Sequence, residues 1–182
     1  MNGNDDRPLR TFVAYVEDEP GVLNRIASLF RRRGYNIASL NVGRTHEIGI
    51  SRMTMVVEAD EDTARRMEAN LYKLVNVISV EDITDKASVV RDLALVKVAT
   101  TANTRATLLQ LSETFRARVV DVGDDSMAFE MTGTKEKVLE FAAVLAPFGI
   151  IEMVQTGAIA MTRGGEGQAS VTAHTKPSIT AA

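Results

Sequence analysis

One order of secondary-structure signals runs along this chain twice, and that repetition constrains the fold more than any single motif. In the first pass, Thr11–Val16 is apolar on both alternating sets, Phe12, Ala14 and Val16 against Val13 and Tyr15, which predicts a buried strand. Glu17-Asp18-Glu19-Pro20-Gly21 follows. An acidic run closing on proline signals a helix start, because proline presets φ and lacks the amide hydrogen that a first turn leaves orphaned. The helix is expected to bury Val22, Leu23, Ile26, Ala27, Leu29 and Phe30. Arg31-Arg32-Arg33 then meets the negative end of its dipole, and Gly34 supplies the C-cap. Strands over Ile37–Val42 and Ile50–Glu58 come next, joined by a polar turn over 44–49. A second helix starts at Asp60-Glu61-Asp62 and sets Ala64, Met67, Leu71 and Leu74 on one face. Val75–Ile83 closes the unit, and the order is βαββαβ.

The second pass repeats it: a strand over Val89–Ala99, a helix over Thr104–Phe115, and a hairpin of Arg118–Val122 and Met127–Thr132 around Gly123-Asp124-Asp125. A helix over Thr134–Leu145, capped by Thr134 and stopped by Pro147, leads to a last strand over Ile150–Met161. The two repeats occupy residues 9–85 and 87–163. Residues 164–182 are rich in Gly, Ser, Thr and Ala with no apolar period, which predicts a disordered tail. The expected fold is α+β: two ferredoxin-like sandwiches, each a four-stranded antiparallel sheet with two helices on one face. The strands are apolar on both sides, yet the helices cover only one. The other face or the sheet edge must be buried elsewhere, and symmetric pairing with a second copy makes a homodimer the expected state.

Composition removes several functions. The 21 Lys and Arg against 24 Asp and Glu leave a net charge of −3 with no basic block in either half, which argues against nucleic acid or anionic membrane as partner. No cysteine is present and only two histidines, His46 and His174, so thiol nucleophiles, iron–sulfur clusters and Cys- or His-based metal sites are excluded. No apolar stretch approaches the ~20 residues of a membrane span, and the polar N-terminus is no signal peptide, so the cytoplasm is the expected compartment. Catalytic readings fail as well. Asp60-Glu61-Asp62 and Asp124-Asp125 fit a helix start and a solvated turn better than acid–base pairs. Ser51, Ser79 and Ser126 lack a nucleophile elbow, and His46 has no visible partner. Gly164-Gly165-Glu166-Gly167 lacks the Lys-Ser/Thr ending of a phosphate loop. The RNA-recognition variant of this element order needs aromatics where Arg52, Met53, Thr54 and Met55 stand. No catalytic residue and no metal site is expected.

The stretch Glu17–Leu23 is different. A strand-to-helix turn with glycine lets a small ligand approach the backbone, and the helix start offers amides and a positive dipole to a carboxylate. Asp18 accepts from an ammonium. These features fit a free α-amino acid. Asp18-Glu19-Pro20-Gly21-Val22-Leu23 within βαββαβ resembles an ACT domain, the amino-acid-sensing module of regulated metabolic enzymes. Phe30–Leu40, Ser51-Arg52-Met53-Thr54, Lys73–Val77, Arg91–Val98 and Phe115–Val122 narrow this. Over residues 9–163 the chain resembles the small regulatory subunits of acetohydroxyacid synthase (acetolactate synthase).

The resemblance implies a non-catalytic subunit that activates a large catalytic subunit and confers feedback inhibition by valine in branched-chain amino acid biosynthesis. It places thiamine diphosphate, Mg and FAD in that large subunit and no cofactor in this chain. It also implies that valine sits between two ACT domains, held by Asp18, Gly21 and Val22 of one and by Asn36 and Ile37 at the start of the second strand. Asp18 departs from the asparagine of several members, and a carboxylate there either tightens the ammonium contact or repels the ligand carboxylate. The alternative is a stand-alone ACT-type sensor serving another enzyme or a transcription factor.

Overall fold

The first half is organised around its two inner strands. The structure, a computed structural model, describes residues 8–164. The expected tail lies, beyond Gly164, outside the described residues. In the first sheet the strand order is β2-β3-β1-β4, so β1 (Leu9–Glu17) and β3 (Ile50–Glu58) are central while β2 (Ile37–Arg44) and β4 (Val77–Asp82) form the edges. All pairings are antiparallel, with Phe12 opposite Met55, Ala14 opposite Met53 and also opposite Val80. These residues share one face, because side chains alternate along a strand, and they form the core with Val22, Ile26, Leu29 and Phe30 of α1 (Val22–Arg33) and Ala64, Met67 and Leu71 of α2 (Glu61–Leu71).

Helix α1 runs between two left-handed glycines, Gly21 (φ 86°) and Gly34 (φ 67°). The Gly34 amide donates to the Arg31 and Phe30 carbonyls. Pro20 precedes this N-cap rather than opening the helix. Leu23 and Ala27, expected in the core, face solvent. The buried stripe is Val22, Ile26, Leu29 and Phe30, and residues one step along the helix stand about 100° away from it. Helix α2 begins where the acidic cluster put it, with the Asp60 carboxylate accepting from the Thr63 amide at 2.7 Å. It ends at Leu71. Leu74 reaches the core from a series of turn bonds (Leu74 N–H to Leu71 O, Val77 N–H to Leu74 O), which delay β4 to Val77 and leave Val75 exposed.

The second half repeats the plan with β5 (Ser88–Ala99), α3 (Arg105–Phe115), β6 (Arg118–Val122), β7 (Ser126–Gly133), α4 (Lys135–Leu145), a 3-10 turn at Ala146–Phe148 and β8 (Ile150–Gln155), in the sheet order β6-β7-β5-β8. Its core gathers Ala94, Val96, Val98, Leu108, Phe129, Met131, Val138 and Phe141. Phe141 packs edge-on to Phe129 with ring centroids 6.0 Å apart. The single strand expected over Ile150–Met161 is instead two. It breaks at Thr156-Gly157-Ala158, where Gly157 takes φ 79° and the Thr156 amide donates to Leu93 O, and it resumes as β9 (Ile159–Thr162), which also pairs with β5. A break of this kind needs a residue free to adopt positive φ, which Gly157 supplies.

Two compact units result among the described residues: 8–89 together with 160–164, and Val90–Ile159. In the first unit the face turned away from the helices is not bare. Val13 and Thr54 are 4% and 2% exposed there, and Arg52, on the same face, donates to Thr54 Oγ1, to Tyr15 Oη and to the Ala160 carbonyl. The Ala160 carbonyl, in the same unit, thus meets part of that face. In the second unit Leu95 and Val154, paired across β5 and β8, both stay exposed. Among the described residues no helix is long and apolar enough to cross a membrane.

Candidate functional site

The loop from Glu17 to Gly21 is held on both sides by backbone. The Glu17 amide donates to Asn76 O (2.9 Å), the Asp18 amide to Gly49 O (2.8 Å) and the Glu19 amide to Glu17 O (3.0 Å). The Asp18 carboxylate is already engaged, accepting from Arg44 Nε at 2.9 Å and from Ser51 Oγ at 3.1 Å. Gly21 stands at the N-cap of α1 with no side-chain cap. No atom lies within 4 Å of where a Cβ would be, so the requirement for glycine here is the backbone conformation and not crowding. Val22 buries its side chain in the core and offers a ligand only backbone. Its amide leans on Glu19 O at 3.4 Å, and the Arg25 amide donates to Gly21 O. The amides of Leu23 and Asn24 are therefore the first-turn donors without a backbone acceptor among the described residues.

Asn36 and Ile37 lie elsewhere. Asn36 O accepts from the Glu58 amide, and Ile37 stands opposite Val57. Asp18, in contrast, is tied to Arg44 at the far end of β2, which at ~3.3 Å per residue is about 25 Å along the strand. One chain does not bring the two halves of the expected site together. β2 is, however, an edge strand.

Three residues that sequence reasoning left without a role, Arg44, Ser51 and Asn76, build the loop's surroundings. Arg44, with the hairpin tip 45–50 and Asp18, encloses a cleft of about 350 Å³ beside the loop. His46 is exposed on the rim of this cleft, 3.9 Å from Glu47. Asn76 is 7% exposed and bridges three elements. Its amide nitrogen donates to Glu17 Oε2 (2.6 Å) and Glu19 Oε2 (3.4 Å), while its amide oxygen accepts from Arg25 Nη1 (2.6 Å). Asn76 falls in the Lys73–Val77 stretch that carries the resemblance, but no period or spacing ties it to this loop, so only tertiary packing reveals its partners. Asn76→Leu keeps the branching and the number of side-chain heavy atoms and removes every one of these side-chain bonds. Hydrogen bonds to charged groups each contribute about 1.5–3 kcal/mol, so the variant should lose roughly 2–4 kcal/mol in urea titration. An unchanged midpoint would show the network to be dispensable.

The corresponding turn of the second unit is built otherwise. Over Thr100–Thr104 the hydroxyl of Thr104 accepts from the Thr101 amide, and neither carboxylate nor glycine is present. Among the described residues no three His, Asp or Glu side chains converge to hold a metal.

Comparison with known proteins adds the following. Residues 12–79 match the family model described as the AHAS small subunit-like ACT domain, and residues 91–164 match that of the small subunit of acetolactate synthase. The chain is 44% identical over 160 residues to the acetolactate synthase small subunit of Mycolicibacterium smegmatis, covering 88% of this chain and 94% of that one. It is also 44% identical over 156 residues to the probable acetolactate synthase small subunit of Archaeoglobus fulgidus, covering 86% and 98%. The crystal structure of the acetolactate synthase small subunit from Thermotoga maritima superposes with a TM-score of 0.81 at 34% identity, covering 86% of this chain and 98% of that one.

Proposed function

The chain belongs to the family of acetolactate synthase small subunits, and from that premise we propose that it is the regulatory partner of a large catalytic subunit in the cytoplasm, activating it and making it sensitive to valine. In this reading the chemistry, with thiamine diphosphate, Mg and FAD, belongs to the large subunit. Residues 9–85 sense the effector and residues 87–163 contribute to contacts with the large subunit.

The observation that carries the reading is the division of the site along β2. Asp18, Gly21 and Val22 stand at one end of this edge strand, with first-turn amides left for a carboxylate, and Asn36 and Ile37 stand at the other. Two copies pairing their β2 strands antiparallel about a twofold axis would set Asn36 and Ile37 of one beside the loop of its partner. An edge strand is also the place where a sheet accepts another chain. A homodimer then completes two effector sites.

The test mixes the chain with its large subunit and follows acetolactate formation with and without valine. Addition should raise turnover and make it inhibitable. Coupling between sites typically spans about 1–3 kcal/mol, so inhibition should fall between several-fold and about a hundred-fold. By itself the chain should form no acetolactate and should sediment as a dimer at micromolar concentration. A monomer there, or turnover by the chain alone, contradicts the proposal. A chain that binds valine but leaves the large subunit unchanged is a stand-alone sensor.

A further inference from the structure

The segment that leads out of the first unit, residues 83–87, is exposed from Thr84 to Ala87 as a free linker would be, yet it is tied down along its length. The β1–β4 ladder runs on past its last pair. Ile83, 1% exposed, donates its amide to Thr11 O at 2.9 Å, and the Thr84 hydroxyl accepts from the Thr11 amide at 2.9 Å while donating to Asp82 Oδ1 at 2.5 Å. Arg10 clasps the turn from outside, its Nε donating to Asp82 Oδ2 at 2.7 Å and its Nη2 to Asp85 Oδ2 at 3.1 Å. Lys86 pairs with Glu81, and the Ala87 carbonyl accepts from the Arg163 amide at 2.8 Å. Ser88 then opens β5, which continues into the second unit. The other end of β4 is anchored too, because Asn76, just before it, holds Glu17 and Glu19 of the β1–α1 loop.

We propose that residues 83–87 are the coupling strap of this protein, with Arg10 and Thr84 as positioning residues that take the slack out of it. This rests on the reading that the first unit senses the effector and the second meets the large subunit. A flexible tether averages over many conformations and passes no preference from one side to the other. Coupling needs an element whose arrangement both sites can bias. Here β4 is bound at its start to the effector loop and at its end to the strap, so a displacement of the loop is handed to β5 rather than absorbed between the units. The clasp serves the transmission of binding, not binding itself: none of its residues approaches the β1–α1 loop through a hydrogen bond or ion pair among the described residues.

The test is the double variant Thr84→Val/Asp85→Ala in the full chain. It loosens the strap and leaves Arg10 on Asp82, whereas removing Arg10 would leave the Asp82 carboxylate, 17% exposed, without its cation. Exposed pairs add little to stability, so the variant should fold. Hydrogen exchange at the Lys86 and Arg163 amides, whose own acceptors Ile83 O and Ala87 O are untouched, should quicken about ten-fold. L-valine should bind, by calorimetry, within about two-fold of the parent. Mixed with the large subunit, the variant should still activate. Saturating L-valine, which should cut the turnover of the parent holoenzyme several-fold, should cut that of the variant by less than about two-fold. Thr84→Ser/Asp85→Glu keeps the hydroxyl and the carboxylate and should match the parent in every readout. If exchange is unchanged, if the loosened variant is inhibited as fully as the parent, or if valine binding weakens in step with inhibition, the coupling role of the strap is overturned while the effector reading stands. A parent holoenzyme that L-valine leaves unaffected overturns both.

Discussion

Gly21→Asp should abolish valine inhibition while the large subunit is still activated. Gly21 holds φ 86° with open space around the missing Cβ. The substitution therefore meets no wall of protein. It carries only the strain of a left-handed residue, about 1–2 kcal/mol and less for aspartate, which visits that region more readily than most. The fold should survive. The ligand should not, because a second carboxylate would stand near Asp18 and near the first-turn amides of α1, where the effector's own carboxylate would be received. Gly21→Ala separates the two effects: it imposes the strain without the charge and should leave partial inhibition. Acetolactate formation over a valine titration reads both variants. A Gly21→Asp enzyme as valine-sensitive as the parent would show that the effector binds elsewhere.

Ending the chain at Asp85 should eliminate activation while sparing effector binding. The helix-side core of the first unit is made of residues between Phe12 and Val80, so the shortened chain keeps it whole, together with Asp18, Gly21 and Asn36. What it loses is the other face. Arg52 no longer has the Ala160 carbonyl to donate to. A lost bond to a charged donor is worth about 1.5–3 kcal/mol, so the fragment should unfold earlier in urea than the full chain by at least that much. L-valine should still give a calorimetric isotherm. If residues 87–163 carry the proposed contacts with the large subunit, its turnover should stay near the unassisted rate. Valine binding by residues 87–182, with none by the fragment ending at Asp85, would move the sensor to the second repeat.

Much of this protein is a matter of local rules. The βαββαβ order, its repetition, the bounds of β3, the left-handed C-cap at Gly34 and the Asp60 and Thr134 caps follow from alternation, helical period and capping chemistry. Each depends on neighbours within a few residues, and those neighbours are in the sequence. Family membership was legible for a related reason: stretches such as Ser51-Arg52-Met53-Thr54 are contiguous. Periodicity misled only at the margins. Leu23 and Ala27 looked like core because they are apolar, but which part of an amphipathic helix is buried depends on the width of the sheet beneath it. The strand over Ile150–Met161 ran on because nothing local demands that Gly157 take up positive φ.

Relations between distant residues had to wait for the fold. Asn76 lies 59 positions from Glu17 and 51 from Arg25, yet it holds both at 2.6 Å. Arg44 neutralises an aspartate 26 positions away, and Arg52 meets a carbonyl 108 positions on. No period or motif encodes such pairs, because chain reversal and not spacing brings them together. The same holds for the separation of Asp18 from Asn36. They stand 18 positions apart in sequence, but helix α1 lies between them and Asn36 enters β2, whose far end, Arg44, is where Asp18 is bound, and β geometry carries the chain about 3.3 Å with each residue. The sequence by itself determined the elements, their repetition and the loop with its carboxylate and glycine. The tertiary structure decided what that loop is bound to and that, within one chain, Asn36 and Ile37 lie at the other end of β2, because those depend on where strands end in space.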